Sequence, residues 1–198
     1  MSSSVAVRMP TQSERTEATR GALIAAGRKL FGARGYAGVG TEEVVAEAGV
    51  TRGALYHHFR DKRDLFRAVF VAQEVELLTS VGTAVAVVEG AYAQLSAALE
   101  ATLDLCTDPL IARISFLDGP AVLGIEEWRA IIEEYTLGVV RHMLSTAMEA
   151  GELRTAPADG LAHLMLGALN EAGMVIAAGG DRDETGAALR VLLEGLRS

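Results

Sequence analysis

Apolar positions recur at helical spacing along most of this chain. Between Glu17 and Ala33 they fall at Leu23, Ala26, Gly27, Leu30 and Phe31, the i, i+3, i+4 stripe of an amphipathic helix. Gly35 follows, placed to end that helix in a left-handed turn. Thr41 is read as the N-cap of a second helix, with Glu42 and Glu43 in its first turn, where the helix dipole favours anions. Val44, Val45 and Ala48 give it an apolar face, and Gly49 closes it. Thr51 caps a third helix, with Val50 and Leu55 at hydrophobic-staple spacing and Leu55 and Phe59 sharing the buried side. A fourth pattern runs from Asp64 through Leu65, Phe66, Val69 and Phe70 toward Thr79. Further helices are expected over residues 84–105, 109–117, 121–150, 157–178 and 183–197. Pro109, Pro120 and Pro157 fall near their starts, and Gly119, Gly151 and Gly179–Gly180 fall in their breaks.

The expected fold is therefore all-α. Few β-branched runs or two-residue hairpin turns speak for a sheet. Residues 1–12 read as a disordered lead-in, 13–63 as a three-helix helix-turn-helix domain, and 64–198 as a larger helical domain. A chain of 198 residues, 50% hydrophobic and 22% charged, can bury a sizeable globular core. Its one cysteine, Cys106, rules out an internal disulfide and a cysteine-built metal site, and fits a reducing cytoplasm. Asp104 and Asp108 flank that thiol and no basic residue lies close in sequence, so no redox role is expected. The N-terminus has no apolar core of signal-peptide length. The long apolar run Leu161–Ala178 carries His163, Asn170 and Glu171, and reads as a buried helix, not a membrane span. No metal and no cofactor is expected, and no GxSxG, HExxH, CxxC, Walker or dinucleotide motif supports an enzyme.

Charge divides the chain. Residues 1–67 hold 11 basic against 7 acidic residues, whereas residues 68–198 hold 7 against 19. A basic module beside an acidic one suggests that only the first meets a polyanion. The preponderance of Arg over Lys, with abundant Ala and Gly, suits a GC-rich bacterial genome. The basic and aromatic residues concentrate in TRGALYHHFRDK, Thr51 to Lys62. Two short helices joined by a tight Gly-containing turn describe a helix-turn-helix, whose second helix enters a major groove N-terminus first. On that helix Arg52 can bond a guanine edge, Thr51 a phosphate or base, and Tyr56 and His57 the DNA backbone. Gly53 leaves room for close approach, and Lys62 stands at a helix start that favours phosphate. Tyr56 taken alone equally fits a half-buried packing residue, and His58 is assigned to structure.

Residues 41–66, TEEVVAEAGVTRGALYHHFRDKRDLF, preceded by FGARGYAGVGTEEVV at 31–45, resemble the DNA-binding signature of the TetR family of bacterial transcriptional regulators. The resemblance covers residues 17–67. It implies an all-helical homodimer joined through its last two helices, usually a repressor, which a small molecule bound in the C-terminal domain releases from double-stranded DNA. Thr41, Thr51, Arg52, Gly53, Tyr56, His57 and Lys62 match positions that commonly face DNA. A two-fold dimer reads a palindromic operator. A regulator or activator with no effector is the alternative.

The effector is expected to be small and largely apolar. A stripe of Trp128, Ile132, Tyr135, Val139, His142 and Thr146 suits a small-molecule cavity as well as ordinary core. His163, Gly167, Asn170 and Met174 share one face of the penultimate long helix. The pocket candidates are Phe116, Trp128, Ile132, Tyr135, Val139, His142, His163, Asn170 and Met174. For His163, core, dimer interface and pocket all remain open.

Overall fold

The computed structural model describes residues 11–198, whose regular elements are all helices apart from one isolated bridge, Leu153 to Arg197. The expected lead-in thus lies outside the described residues except for Thr11 and Gln12. Helix α1, Gln12–Arg34, begins earlier than its apolar stripe because of a reciprocal cap. The Glu14 N–H donates to Thr11 Oγ1 at 3.2 Å, and the Thr11 N–H donates to the Glu14 carboxylate at 2.6 Å. Gly35 ends it at φ 76°, its N–H on the Phe31 carbonyl at 2.7 Å.

Helix α2, Thr41–Ala48, is capped by Gly40 and not by Thr41, which is its first helical residue. The Glu43 carboxylate accepts from the Gly40 N–H at 3.0 Å, so the helix start is fastened from three residues on although the cap residue has no side chain. Gly49 takes the left-handed conformation, φ 65° and ψ 29°, that the tight turn requires. Helix α3, Arg52–His58, is capped by Thr51, whose Oγ1 accepts from the Ala54 N–H at 3.2 Å. Helix α4, Lys62–Val85, is capped by Asp61 and runs past Thr79. Helix α5, Ala91–Cys106, starts later than expected, after Gly90.

The expected helices at 109–117 and 121–150 are broken into shorter pieces. Helix α6, Pro109–Ile111, leads into a first π-helix, Ala112–Asp118, and then α7, Gly119–Leu123. Gly124, at φ 82°, separates these from α8, Ile125–Ile132; a second π-helix, Glu133–Leu137, joins α8 to α9, Gly138–Glu149. The first π-helix has a sequence-level reason to recruit a side chain. A π-turn points the Ser115 carbonyl at residue 120, and residue 120 is a proline with no N–H. The Trp128 indole Nε1 donates to that carbonyl instead, at 2.7 Å. Helices α10, Ala158–Ala177, and α11, Arg182–Glu194, complete the chain.

Two apolar clusters hold the molecule together. The first joins α1–α4 to Ile114, Leu123, Trp128, Ile131, Ile132 and Leu166, so the expected helix-turn-helix unit α1–α3, here termed the reading head, shares its core with the later helices. Phe31, Tyr36 and Phe66 meet there, with ring centroids 5.3 to 5.8 Å apart. The second unites α5, α9, α10 and α11 around Leu99, Leu103, Leu144, Ala162 and Leu189. Arg182 ties α11 to α5 through Glu100 at 2.6 Å and Asp104 at 2.7 Å. By length and hydropathy alone α4 and α10 could cross a membrane. Here each packs one side against other helices, α4 on α1 and α5, α10 on α9 and the first π-helix.

Candidate nucleic-acid interface and ligand cavity

Leu55 and Phe59 anchor α3 on the core, which turns its other side to solvent. Burial of a side chain such as Leu55 contributes about 1.5–3 kcal/mol, enough to fix the orientation of a seven-residue helix that could not stand alone. The exposed side carries Thr51, Arg52, Gly53, Tyr56 and His57. Tyr56 is 45% exposed, and a Cβ on Gly53 would meet only open space and the Thr51 hydroxyl 3.9 Å away. Arg52 is held over the Tyr56 ring, 5.6 Å from its centroid, and pairs with Glu42 of α2 at 2.9 Å. Any base edge must compete with that carboxylate, a neighbour that the spacing of the motif did not flag.

Thr41 and Lys62 are placed differently from the other five. Thr41 is half-buried at the start of α2. Lys62 is half-buried too, its Nζ 4.1 Å from the centre of the Tyr36 ring, and desolvation lowers its pKa against the fields of Asp118 and Glu43. Its ammonium caps an aromatic face within the protein, leaving the helix N-terminus rather than the side chain on offer. Arg34 clamps the turn before α2 by bonding Glu43 and the Gly38 carbonyl. Bonds from Arg34 and the Gly40 N–H hold the Glu43 carboxyl down at about 2.

A cavity of about 120 Å³ lies in the larger domain, among α4, α5, both π-helices, α9, α10 and α11. Leu77, Leu78, Leu95, Leu99, Met143 and Met165 supply much of its wall. Val139, 46% exposed, and the half-buried Leu78 and Val81 put its least covered side between α4 and α9. Glu74 enters the wall from α4, and the Ser115 hydroxyl donates to its Oε1 at 3.3 Å. Burial pushes the Glu74 carboxyl up to about 7, against the opposing effect of that bond. Burial, with the field of Glu74, pushes the Cys106 thiol up to about 12, so it is no thiolate.

Two family models match this chain. One described as "Bacterial regulatory proteins, tetR family" matches residues 23–69, and one described as "Tetracyclin repressor-like, C-terminal domain" matches residues 92–196. The chain belongs to the TetR family. A solved TetR-family transcriptional regulator from Pectobacterium atrosepticum is 32% identical, with a TM-score of 0.83 over 95% of this chain and 98% of that one. The Transposon Tn10 TetC protein of Escherichia coli is 29% identical, over 79% of each chain. The HTH-type transcriptional repressor AcnR of Corynebacterium glutamicum is 30% identical, over 69% of this chain and 70% of its own. As a TetR-family member the chain is a DNA-binding transcriptional regulator.

Of the pocket candidates, Phe116, Ile132, Val139 and Asn170 line the cavity of this TetR-family regulator, and the other five do not. Trp128 is buried in the first core cluster, held there by its bond to Ser115. Met174 packs against that same cluster. Tyr135 faces a separate, more polar groove shared with Arg20, His58 and Arg67. His142 is exposed on α9; His163 is exposed on α10, its Nδ1 2.8 Å from the Asp159 carbonyl. Gly124 splits the expected 121–150 helix, and the second π-helix shifts the register within the stripe that begins at Trp128, so one straight helical stripe does not describe it. Sequence reasoning missed Glu74 and Ser115, which lie 41 residues apart.

A short physical path joins cavity and reading head. Phe116 lines the cavity and Ser115 bonds Glu74; Asp118, at the end of the same π-helix, accepts from the Tyr36 N–H at 2.7 Å. A second fastening lies alongside. Arg63 donates to the Leu123 carbonyl at 2.9 Å and to Glu127 at 2.5 Å, and Arg67 donates to Glu127 at 2.8 Å.

Proposed function

We propose that this regulator is a repressor that binds a palindromic operator as a homodimer and lets go when a small, largely apolar molecule fills the cavity. The observation that carries the reading is the first π-helix: one seven-residue segment lines the cavity at Phe116 and holds the reading head at Asp118. A ligand that displaces this segment shifts the population toward orientations of α3 that no longer match successive major grooves. On the DNA side, Thr51, Arg52, Gly53, Tyr56 and His57 make the contact, with Thr41 at the edge and Lys62 contributing chiefly through the α4 N-terminus.

The outer faces of α10 and α11 support the dimer. Leu164 is 73% exposed and Val191 67%, with Val175 and Leu192 also outward. Such an apolar surface on a water-facing pair of helices suits a self-complementary two-helix interface.

The test is selection of genomic fragments by the full chain, at low and moderate salt, with and without a metabolite extract. Enrichment of one palindromic site that the extract abolishes is expected. Salt-sensitive retention with no enriched sequence would leave only non-specific binding.

A further inference from the structure

The cavity wall contains one acid, and that acid has no cation. Glu74 is 7% exposed. The Ser115 hydroxyl is its one hydrogen-bond partner among the described residues, and at 3.3 Å it is a long one. Among those residues the ion pairs of α4 involve Arg63, Asp64, Arg67 and Glu76, never Glu74. The neighbouring Gln73 shows the contrast. It is fully buried, and its Oε1 accepts from the Arg28 guanidinium at 2.9 Å. Thus α4 buries two adjacent polar residues, giving the neutral one a cationic partner and the acidic one a single hydroxyl.

A purely structural demand for a polar group at position 74 would be met by a neutral amide. An unpaired buried carboxylate costs several kcal/mol, a penalty removed when an opposite charge arrives with good geometry. Around Glu74 the wall is mostly leucine, valine and methionine, with Cys106 its one other titratable side chain. An anion brought there would face the carboxylate, and a pure hydrocarbon would leave it unpaired. The scale of the space also matters. A dry cavity of roughly 150 Å³ accepts benzene, so about 120 Å³ with a partly covered side suits a compact body.

We propose that the effector is an amine: a compact apolar body bearing one protonated primary or secondary nitrogen, which seats that nitrogen on the Glu74 carboxylate beside Ser115. This rests on the cavity being the effector site. The apolar body would lie against the leucines and methionines of α4, α5 and α9, and the ammonium would supply the missing partner charge.

The chain carries its own reporter. Trp128 is the one tryptophan, and its indole bonds the carbonyl of Ser115, whose hydroxyl bonds Glu74. Its emission can be followed while 2-phenylethylamine, 2-phenylethanol and phenylacetate, three probes sharing one apolar body, are titrated at mildly alkaline pH. The amine is expected to bind at least about tenfold more tightly than the alcohol, the worth of one charge-assisted hydrogen bond, with phenylacetate weakest. Glu74→Gln should abolish the preference while still binding the alcohol. Glu74→Asp, which keeps the charge, should retain its sign and guards against a misfolded amide variant. Equal binding of amine and alcohol, a preference that survives Glu74→Gln, or no amine binding at millimolar concentration overturns the proposal. The same samples, incubated with the selected operator fragment, separate the two readings. Amine binding at Glu74 without DNA release upholds the amine site and removes the effector role; release by an extract with no amine preference removes the amine site alone.

Discussion

Stability should fall as pH rises through neutrality, and Glu74 should be the reason. In the folded chain its carboxyl titrates at about 7, against an ordinary value of 4.5, chiefly because burial disfavours the charged form. The folded value is the higher one, so the protonated group favours folding. Its contribution is complete below pH 4.5 and disappears as pH climbs through about 7. At about 1.4 kcal/mol for each pH unit separating the two values, the loss amounts to about 3 kcal/mol. Few other resolved shifts act in that window. Cys106 titrates at about 12, and the contribution of the depressed Glu43 is lost only as pH falls below 4.5 toward about 2. The assay is urea unfolding from about pH 5 to about pH 8 at one fixed chain concentration, since dimerisation makes stability concentration-dependent. Wild type should lose about 2–3 kcal/mol relative to Glu74→Gln across that range, part of the full loss being already present at about pH 5, and comparison with the variant cancels the groups common to both. Parallel curves would show that Glu74 is solvated or already paired, and would undercut the case for a cation-seeking cavity.

Trp128→Phe removes the indole N–H from the Ser115 carbonyl and leaves that acceptor with a proline in the π-turn; a loss of about 1–3 kcal/mol in urea unfolding is expected. Gly173→Ala would place a Cβ 2.3 Å from the Phe116 ring, so the ring must move. Overpacking of about 1–3 kcal/mol and weaker 2-phenylethylamine binding, measured by Trp128 emission, are the expected signs. Asp118→Ala deletes the acceptor for the Tyr36 N–H and should leave ligand affinity unchanged while shrinking the effect of ligand on operator retention, whereas Asp118→Asn keeps an acceptor and should behave nearly as wild type. Arg52→Ala should relax base preference at one position per half-site in fragment selection; an unchanged site would reduce Arg52 to a backbone contact.

The reading head was legible because its determinants are local. A cap at Thr51, a left-handed Gly49 and the pair Leu55 and Phe59 lie within eleven residues, and each works through contacts within a turn or two. Even there, two candidates departed from expectation. Thr41 did so for a local reason, since Gly40 takes the cap with Glu43 on its N–H; Lys62 did so for a long-range one, since the ring of Tyr36, brought over by the Phe31–Phe66 cluster, draws it inward. The cavity depends almost wholly on such remote meetings. A 3.6-residue stripe projects Trp128, Tyr135 and His142 onto one side only if residues 121–150 form one straight helix. The π-turn at Glu133–Leu137 breaks that premise between Trp128 and His142, with Trp128 in the core, Tyr135 on the outer groove and His142 in solvent. Glu74 reads from its neighbours as one more polar position in the long helix α4. It becomes a candidate binding group only when Ser115 arrives from the π-helix and the leucines of α5 and the methionines of α9 and α10 close around it. The fold class follows from periodicity, which is local; ligand chemistry follows from which unlike residues the fold brings together, and in this chain π-turns make that choice.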